Sequence, residues 1–242
     1  MKSPYNDAGD YYNEQTKDIC DYEYQRWFSR KASTHSYNET LITLNNFLQD
    51  KQFTHTLEIG CGAGTWTKEI TKHSDHVLGL DISENMIEFA TKKNLDSVEF
   101  MVMDFLKLDS SNFNNYDCLI SMRMLRFLSD IDLFFEKVTE ILTAKGFCFI
   151  VDVNPSWLKR KVLGAKEDEL FDITLRSPSI MESKMVEYGF KDIHVRPATV
   201  YLPPSFSPWL KLCDGIHMRN QNVELSTILS VLSESYAIYG HL

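Results

Sequence analysis

Glycine is scarce in this chain, 10 of 242 residues or about 4% against a usual ~7%. Basic residues are in deficit too: 25 lysines and arginines face 34 acids, a net charge of −9. A protein whose main partner is a nucleic-acid backbone normally carries a basic surplus, so nucleic acid is disfavoured as a partner. The five cysteines, Cys20, Cys61, Cys118, Cys148 and Cys213, include no Cys-x-x-Cys pair. An odd, scattered set argues against a disulfide framework or a metal site and suits a reducing cytoplasm. No apolar run approaches the ~20 residues of a membrane span. The stretch MKSPYNDAGDYYNEQ is polar and acidic, without the apolar core of a signal peptide. These absences lead us to expect a cytoplasmic protein with no membrane partner.

What is present is the composition of a globular fold, 43% hydrophobic and 24% charged, which excludes disorder, collagen and coiled coil. From residue 53 to 153 strand-like and helix-like stretches alternate. Strands are expected at Thr56 to Ile59, His76 to Asp81, Val98 to Met103, Tyr116 to Ser121 and Phe147 to Val153. A helix is expected through Trp66 and Ile70, and another after Ser83, which reads as an N-cap. A third starts near Ser129, with Phe134, Phe135, Val138, Ile141 and Leu142 on one face and Lys145-Gly146 as its stop. Strands alternating with helices mean βαβ units and a parallel sheet covered on both faces, an α/β fold.

Two segments flank this core in what reads as a single domain. Residues 1–52 form an aromatic-rich helical cap ending in an amphipathic helix with Tyr37, Leu41, Leu44 and Leu48 on one face. Residues 154–242 form the substrate-side half. It holds a helix ending at Glu187, a strand from Ile193 to Val195, and a proline-broken stretch from Pro197 to Pro208. A helix near Glu224 to Leu232 and a strand Tyr236 to Tyr239 complete it.

Three of the ten glycines, Gly60, Gly62 and Gly64, fall within five residues, directly after a predicted strand and before a helix. Glycines there permit a tight turn and close approach of a ligand to the backbone. The third glycine of the dinucleotide fingerprint G-x-G-x-x-G would fall at Thr65, and no P-loop lysine follows. Instead Glu58 precedes the three glycines, and acids close the next two strands at Asp81 and Asp104. Carboxylates there accept hydrogen bonds from ribose hydroxyls or an exocyclic amine and suit a cationic ligand, whereas they would resist a pyrophosphate.

LEIGCGAGTWT resembles motif I of the class I S-adenosylmethionine-dependent methyltransferases, and later pieces follow in that family's order. The resemblance is close over residues 53–153 and looser to 190. It implies a Rossmann-like, seven-stranded, mostly parallel sheet with helices on both faces. It also implies S-adenosyl-L-methionine as cofactor. Glu58, Gly60, Cys61, Gly62 and Gly64 would form the cofactor loop, and Asp81 would hold the ribose hydroxyls. Ile82 and Met86 would pack near the adenine, Asp104 and Phe105 would meet its edge, and Ser121 would close the fourth-strand motif. The implied activity is methyl transfer to a small-molecule acceptor. A tRNA or other nucleic-acid methyltransferase on the same fold, or a non-catalytic cofactor-binding protein, stand as alternatives.

Methyl transfer from a sulfonium needs mainly alignment, with a base only for a poor nucleophile. His35 and His217, in the flanking caps, are the histidines to consider. His55, His73 and His76 fall at the opposite sheet edge and His194 inside a strand. Arg123 and Arg126, just after the fourth strand, are expected to hold an acidic group of the acceptor or of the cofactor tail. Structural pairing with Asp130 or Asp152 is the alternative for one of them. The tyrosines of the N-terminal segment, Tyr12 among them, and Trp27 are expected to form an aromatic cover over the substrate, with core packing by that cap as the alternative.

Overall fold

In the computed structural model, which describes residues 7–157, 173–200 and 232–242, a seven-stranded sheet is built from Phe53–Ile59 (β1), Ser74–Asp81 (β2), Val98–Val102 (β3), Tyr116–Met122 (β4), Leu142–Val153 (β5), Lys191–Val200 (β6) and Ser233–His241 (β7). The strand order is β3-β2-β1-β4-β5-β7-β6. The first five strands pair in parallel, and β7 runs antiparallel between β5 and β6. Sequence order reverses between β1 and β4, so the sheet has its switch point there. This is the Rossmann-like arrangement that the resemblance implies.

The helices are Ala8–Thr16 (α1), Lys31–Leu48 (α2), Thr67–Ile70 (α3), Glu84–Thr91 (α4), Ile131–Ile141 (α5) and Pro178–Glu187 (α6). One sheet face buries Leu57, Leu80, Leu119 and Ile150 with Phe134, Phe135 and Val138 of α5 and Met181 and Met185 of α6. The other buries Val77, Ile120, Phe149 and Val151 with Leu44, Phe47 and Leu48 of α2 and with Trp27 and Trp66. No helix among the described residues is long and apolar enough to cross a membrane.

Several expected boundaries move. The helix after the glycines is a single turn, with Trp66 as its N-cap. Asp130, not Ser129, caps α5, its side chain accepting from the Leu133 amide at 2.9 Å. Lys145-Gly146 does not stop a helix. It lies inside β5, where the pairing jumps from Tyr116↔Leu142 to Cys118↔Phe147 and the extra residues bulge. Pro197 does not break the chain either: β6 runs through it, opposite Tyr236. Proline is tolerated because β6 is an edge strand. The expected stretch Pro203 to Pro208, the helix near Glu224 and His217 lie outside the described residues.

Candidate functional site

A cavity of about 470 Å³ opens at the carboxyl ends of β1, β2 and β4, beside the switch point. That volume lies within the ~300–1,000 Å³ usual for small-molecule sites. The loop after β1 supplies its floor. Gly60, Gly62 and Gly64 all adopt left-handed φ angles, +69°, +52° and +69°. They differ in what a side chain would meet. A Cβ on Gly60 would lie 2.5 Å from Met124 Cγ, and one on Gly64 3.2 Å from Phe100 and 3.3 Å from Ala90 of α4. A Cβ on Gly62 would meet nothing within 4 Å. Gly62 therefore serves an open approach, whereas Gly60 and Gly64 serve packing. Gly64 itself is not in the cavity wall. Cys61 is buried in the turn, and burial pushes its thiol well above its ordinary value, so it is an inert turn residue.

Asp81 closes β2 at the cavity wall. One carboxylate oxygen accepts from the Gly62 amide at 2.8 Å and the other from the Ser83 amide at 2.9 Å. Burial nonetheless holds its carboxyl above the usual range. Ser83 is the N-cap expected, accepting from the Met86 amide at 3.2 Å. Ile82, Met86 and Phe105 line the cavity and make its apolar side. Asp104, two residues past β3, lines it too. It caps a turn through the Leu106 amide at 3.0 Å and pairs with Lys107 at 3.0 Å.

Glu58 and Ser121 are corrections. Both are wholly buried and absent from the cavity wall, because their side chains point into the sheet's packing. Glu58 accepts from Thr67 Oγ1 at 2.5 Å, while its second oxygen has no partner. It ties the single-turn α3 to β1. Burial pushes its carboxyl up to about 8, against that hydrogen bond and Lys93, which pull it down. The folded protein thus holds a proton that an unfolded glutamate, at about 4.3, releases. Stability from this group is full below pH ~4 and is lost as pH rises toward ~8. Glu58→Gln, which cannot ionise, is expected to flatten the fall in Tm between about pH 5 and pH 9. Matching slopes for the two proteins would discard the assignment.

The N-terminal segment covers the cavity with Tyr12, Tyr22, Arg26 and Trp27. Trp27 packs edge-on against Trp66 at 5.4 Å, and the Arg26 guanidinium stacks 4.3 Å from the Trp27 ring. Tyr12 meets Phe127 edge-on at 6.1 Å. Asn13 fastens α1 to the turn after β2: its Oδ1 accepts from Ser83 Oγ at 2.7 Å and the Asn85 amide at 3.1 Å. The Asn85 side chain donates back to the Asn13 carbonyl at 2.9 Å. Tyr22 is one of the N-terminal tyrosines expected in the aromatic cover, whereas Arg26, Trp66 and Phe127 were not anticipated. The available signal was an arginine beside an aromatic residue, at Arg26-Trp27 and again at Arg126-Phe127.

Arg123 lines the cavity, but its guanidinium is committed to partners within the protein. The residue has a left-handed φ of +63° and is buried. Its Nη2, with two N–H groups to give, lies within hydrogen-bond distance of the hydroxyls of Ser36 (3.0 Å), Thr40 (3.2 Å), Thr199 (3.1 Å) and Ser235 (3.2 Å) and pairs with Glu234 (3.4 Å), not with Asp130 or Asp152. This is also why α2 buries a polar face beside its apolar stripe. Tyr37 and Leu41 are only half-buried, while His35, Ser36, Glu39, Thr40 and Thr43 are buried. His35 is another correction: its Nε2 bonds the Val200 carbonyl at 3.0 Å and its ring is buried away from the cavity. Arg126 stays in the cavity wall, stacked 4.9 Å from Phe127.

The sequence profile of the methyltransferase domain matches residues 50–194. The chain belongs to that family. It is a member of the class I S-adenosylmethionine-dependent methyltransferases. The ubiquinone biosynthesis O-methyltransferase of Bartonella bacilliformis is 29% identical over 105 residues, 42% of each chain. The chain thus spans less than half the length of the curated relatives it matches. Among solved structures, an Archaeoglobus fulgidus SAM-dependent methyltransferase superposes with a TM-score of 0.63 at 16% identity, covering 90% of this chain and 97% of the other. The N-methyltransferase NodS of Bradyrhizobium japonicum, bound to S-adenosyl-L-homocysteine, gives 0.64 at 11% identity, covering 95% and 97%. These similarities establish the fold of this family member.

The residues present fit the family's cofactor. Open space over the left-handed Gly62, a carboxylate joined to its amide, and the apolar Met86 and Phe105 make a cradle for a nucleoside.

Proposed function

We propose that this protein transfers the methyl group of S-adenosylmethionine to a small-molecule acceptor. The observation that carries the reading is the cradle at the switch point, where Gly62 leaves its backbone open to the cavity and Asp81 holds the loop in place. In this reading Gly60, Cys61 and Gly62 support the cofactor, Asp81 accepts from its ribose, and Ile82, Met86, Asp104 and Phe105 surround its base. When bound, the cofactor supplies a methyl group activated on a sulfonium. Alignment then supplies most of the catalysis. Tyr12, Tyr22 and Trp27 would exclude water, and Arg26 and Arg126 would match an acidic group on the acceptor or on the methionine tail. Phe127 would give the acceptor an aromatic wall. Free thiols at Cys20, Cys61, Cys118 and Cys148 support a reducing, cytoplasmic setting.

Calorimetry is expected to show binding of S-adenosylmethionine and S-adenosylhomocysteine and none of NAD. Asp81→Ala and Asp104→Ala each remove a charged acceptor and are expected to weaken S-adenosylhomocysteine binding roughly ten- to a hundredfold. Wild-type affinity in both variants would refute the nucleoside assignment, and preference for NAD would refute the function. The acceptor is to be sought by incubating metabolite extracts with isotopically labelled S-adenosylmethionine and identifying labelled products by mass spectrometry.

A further inference from the structure

The wall of the cavity on the β4 side is the loop from Met124 to Ser129, which presents Arg126, Phe127, Leu128 and Ser129. Only a short 3-10 turn, Leu125–Phe127, gives this loop regular structure. Within it the Met124 and Leu125 carbonyls accept from the Phe127 and Leu128 amides, and the others look to donors outside the loop. One side chain reaches three of the loop's carbonyls. Arg176, just ahead of α6 and almost wholly buried, donates from Nη1 to the carbonyls of Leu125 (3.0 Å) and Thr174 (3.2 Å). Its Nη2 donates to those of Leu128 (2.6 Å) and Ser129 (3.3 Å). The strap is doubled by backbone, since the Thr174 amide donates to the Arg126 carbonyl at 3.0 Å. Arg176 is itself anchored: the buried hydroxyl of Tyr236 on β7 donates to its carbonyl at 3.0 Å.

A buried guanidinium is expensive unless its donors are used and a countercharge is near. Here its hydrogen bonds go to carbonyls, and the countercharge is the Asp152 carboxyl of β5. That carboxyl is fully buried, has one oxygen without a partner, and feels Arg126, Arg176 and Arg123. Such an arrangement fixes a backbone. A planar fork of donors in fixed geometry reaches carbonyls on successive residues, which a lysine's single ammonium cannot reproduce.

We propose that Arg176 is a positioning residue that sets the β4–α5 loop, and with it Arg126 and Phe127, against the cofactor cavity. The proposal rests on the reading that this cavity takes S-adenosylmethionine. The test measures S-adenosylhomocysteine affinity and Tm for wild type, Arg176→Ala and Arg176→Lys, with and without millimolar guanidinium. Arg176→Ala is expected to bind about fivefold or more weakly. Added guanidinium should restore most of that loss, while the same concentration of sodium chloride should not. Arg176→Lys is expected to remain weak. Wild-type affinity in Arg176→Ala, or a loss that guanidinium does not repair, overturns the proposal. If Arg176→Ala fails to fold, wild-type affinity in Arg176→Lys overturns it instead. Absence of binding by the wild type would mark failure of the cofactor reading itself, a separate result.

Discussion

Gly62→Val is expected to abolish measurable binding of S-adenosylmethionine while the protein stays folded. A Cβ at this position meets no protein atom within 4 Å, so nothing in the fold must move to admit it. The branched side chain would instead fill space over the loop where the cradle is open. The backbone carries a cost, because φ is +52° and an L-residue in that region loses ~1–2 kcal/mol. For a domain of this size that corresponds to a Tm lower by about 2–8 °C. Gly60→Ala should behave in the opposite way. Its single added carbon would lie 2.6 Å from Met124 Cβ, and displacing Met124 pushes on the whole wall that follows β4. A large fall in Tm for Gly60→Ala beside a small one for Gly62→Val, with binding lost in the latter, separates packing from ligand approach. Wild-type calorimetry for Gly62→Val would refute the cradle.

The second large effect is on stability. Arg123→Met removes a guanidinium that joins α2, β6 and β7 and leaves the Glu234 carboxylate without its ion-pair partner, with the Ser36 hydroxyl still donating to it. Burial pushes the Glu234 carboxyl up, but Arg123, helped by Arg26 and the Ser36 hydroxyl, holds the group below its ordinary value. Removing one member of such a buried pair costs about 3–5 kcal/mol. The lower end suits Glu234, which keeps some solvent contact. The expected fall in Tm is about 6–12 °C. Adding Glu234→Gln should recover part of it, because the stranded charge is then gone. A Tm unchanged by Arg123→Met would return the residue to the ligand-binding role expected from sequence.

Local signals carried the reading far. The parallel core was legible because fully apolar runs such as Phe147 to Val153 mark strands buried on both faces. The cofactor loop was legible because three glycines in a glycine-poor chain require a backbone reason. What escaped depends on contacts between distant residues. No periodicity shows that Arg123 meets Ser36, Thr40 and Ser235, since those residues converge only when α2 packs on β6 and β7. The place of Glu58 just before the glycines implied, through the family resemblance, a part in the cofactor loop, and only its burial and the Thr67 hydrogen bond show that it faces inward. Arg176 had no signal at all. It lies outside every quoted motif, and its acceptors are backbone carbonyls, which every sequence has.

The place of β7 has a bearing on how the chain reaches this state. The core strands through β5 can pair as they are synthesised, but β6 has no parallel neighbour to join. Its partner is β7, which follows it in sequence and also pairs with β5. The outer third of the sheet therefore waits for a strand made after everything it completes. Until then the side of β5 that receives β7 exposes unpaired amides and carbonyls, the kind of edge that recruits a second copy. Hydrogen exchange during refolding would be expected to protect β1, β2 and β4 before β5–β7, and a nascent chain stalled ahead of Ser233 would be the species most prone to aggregate.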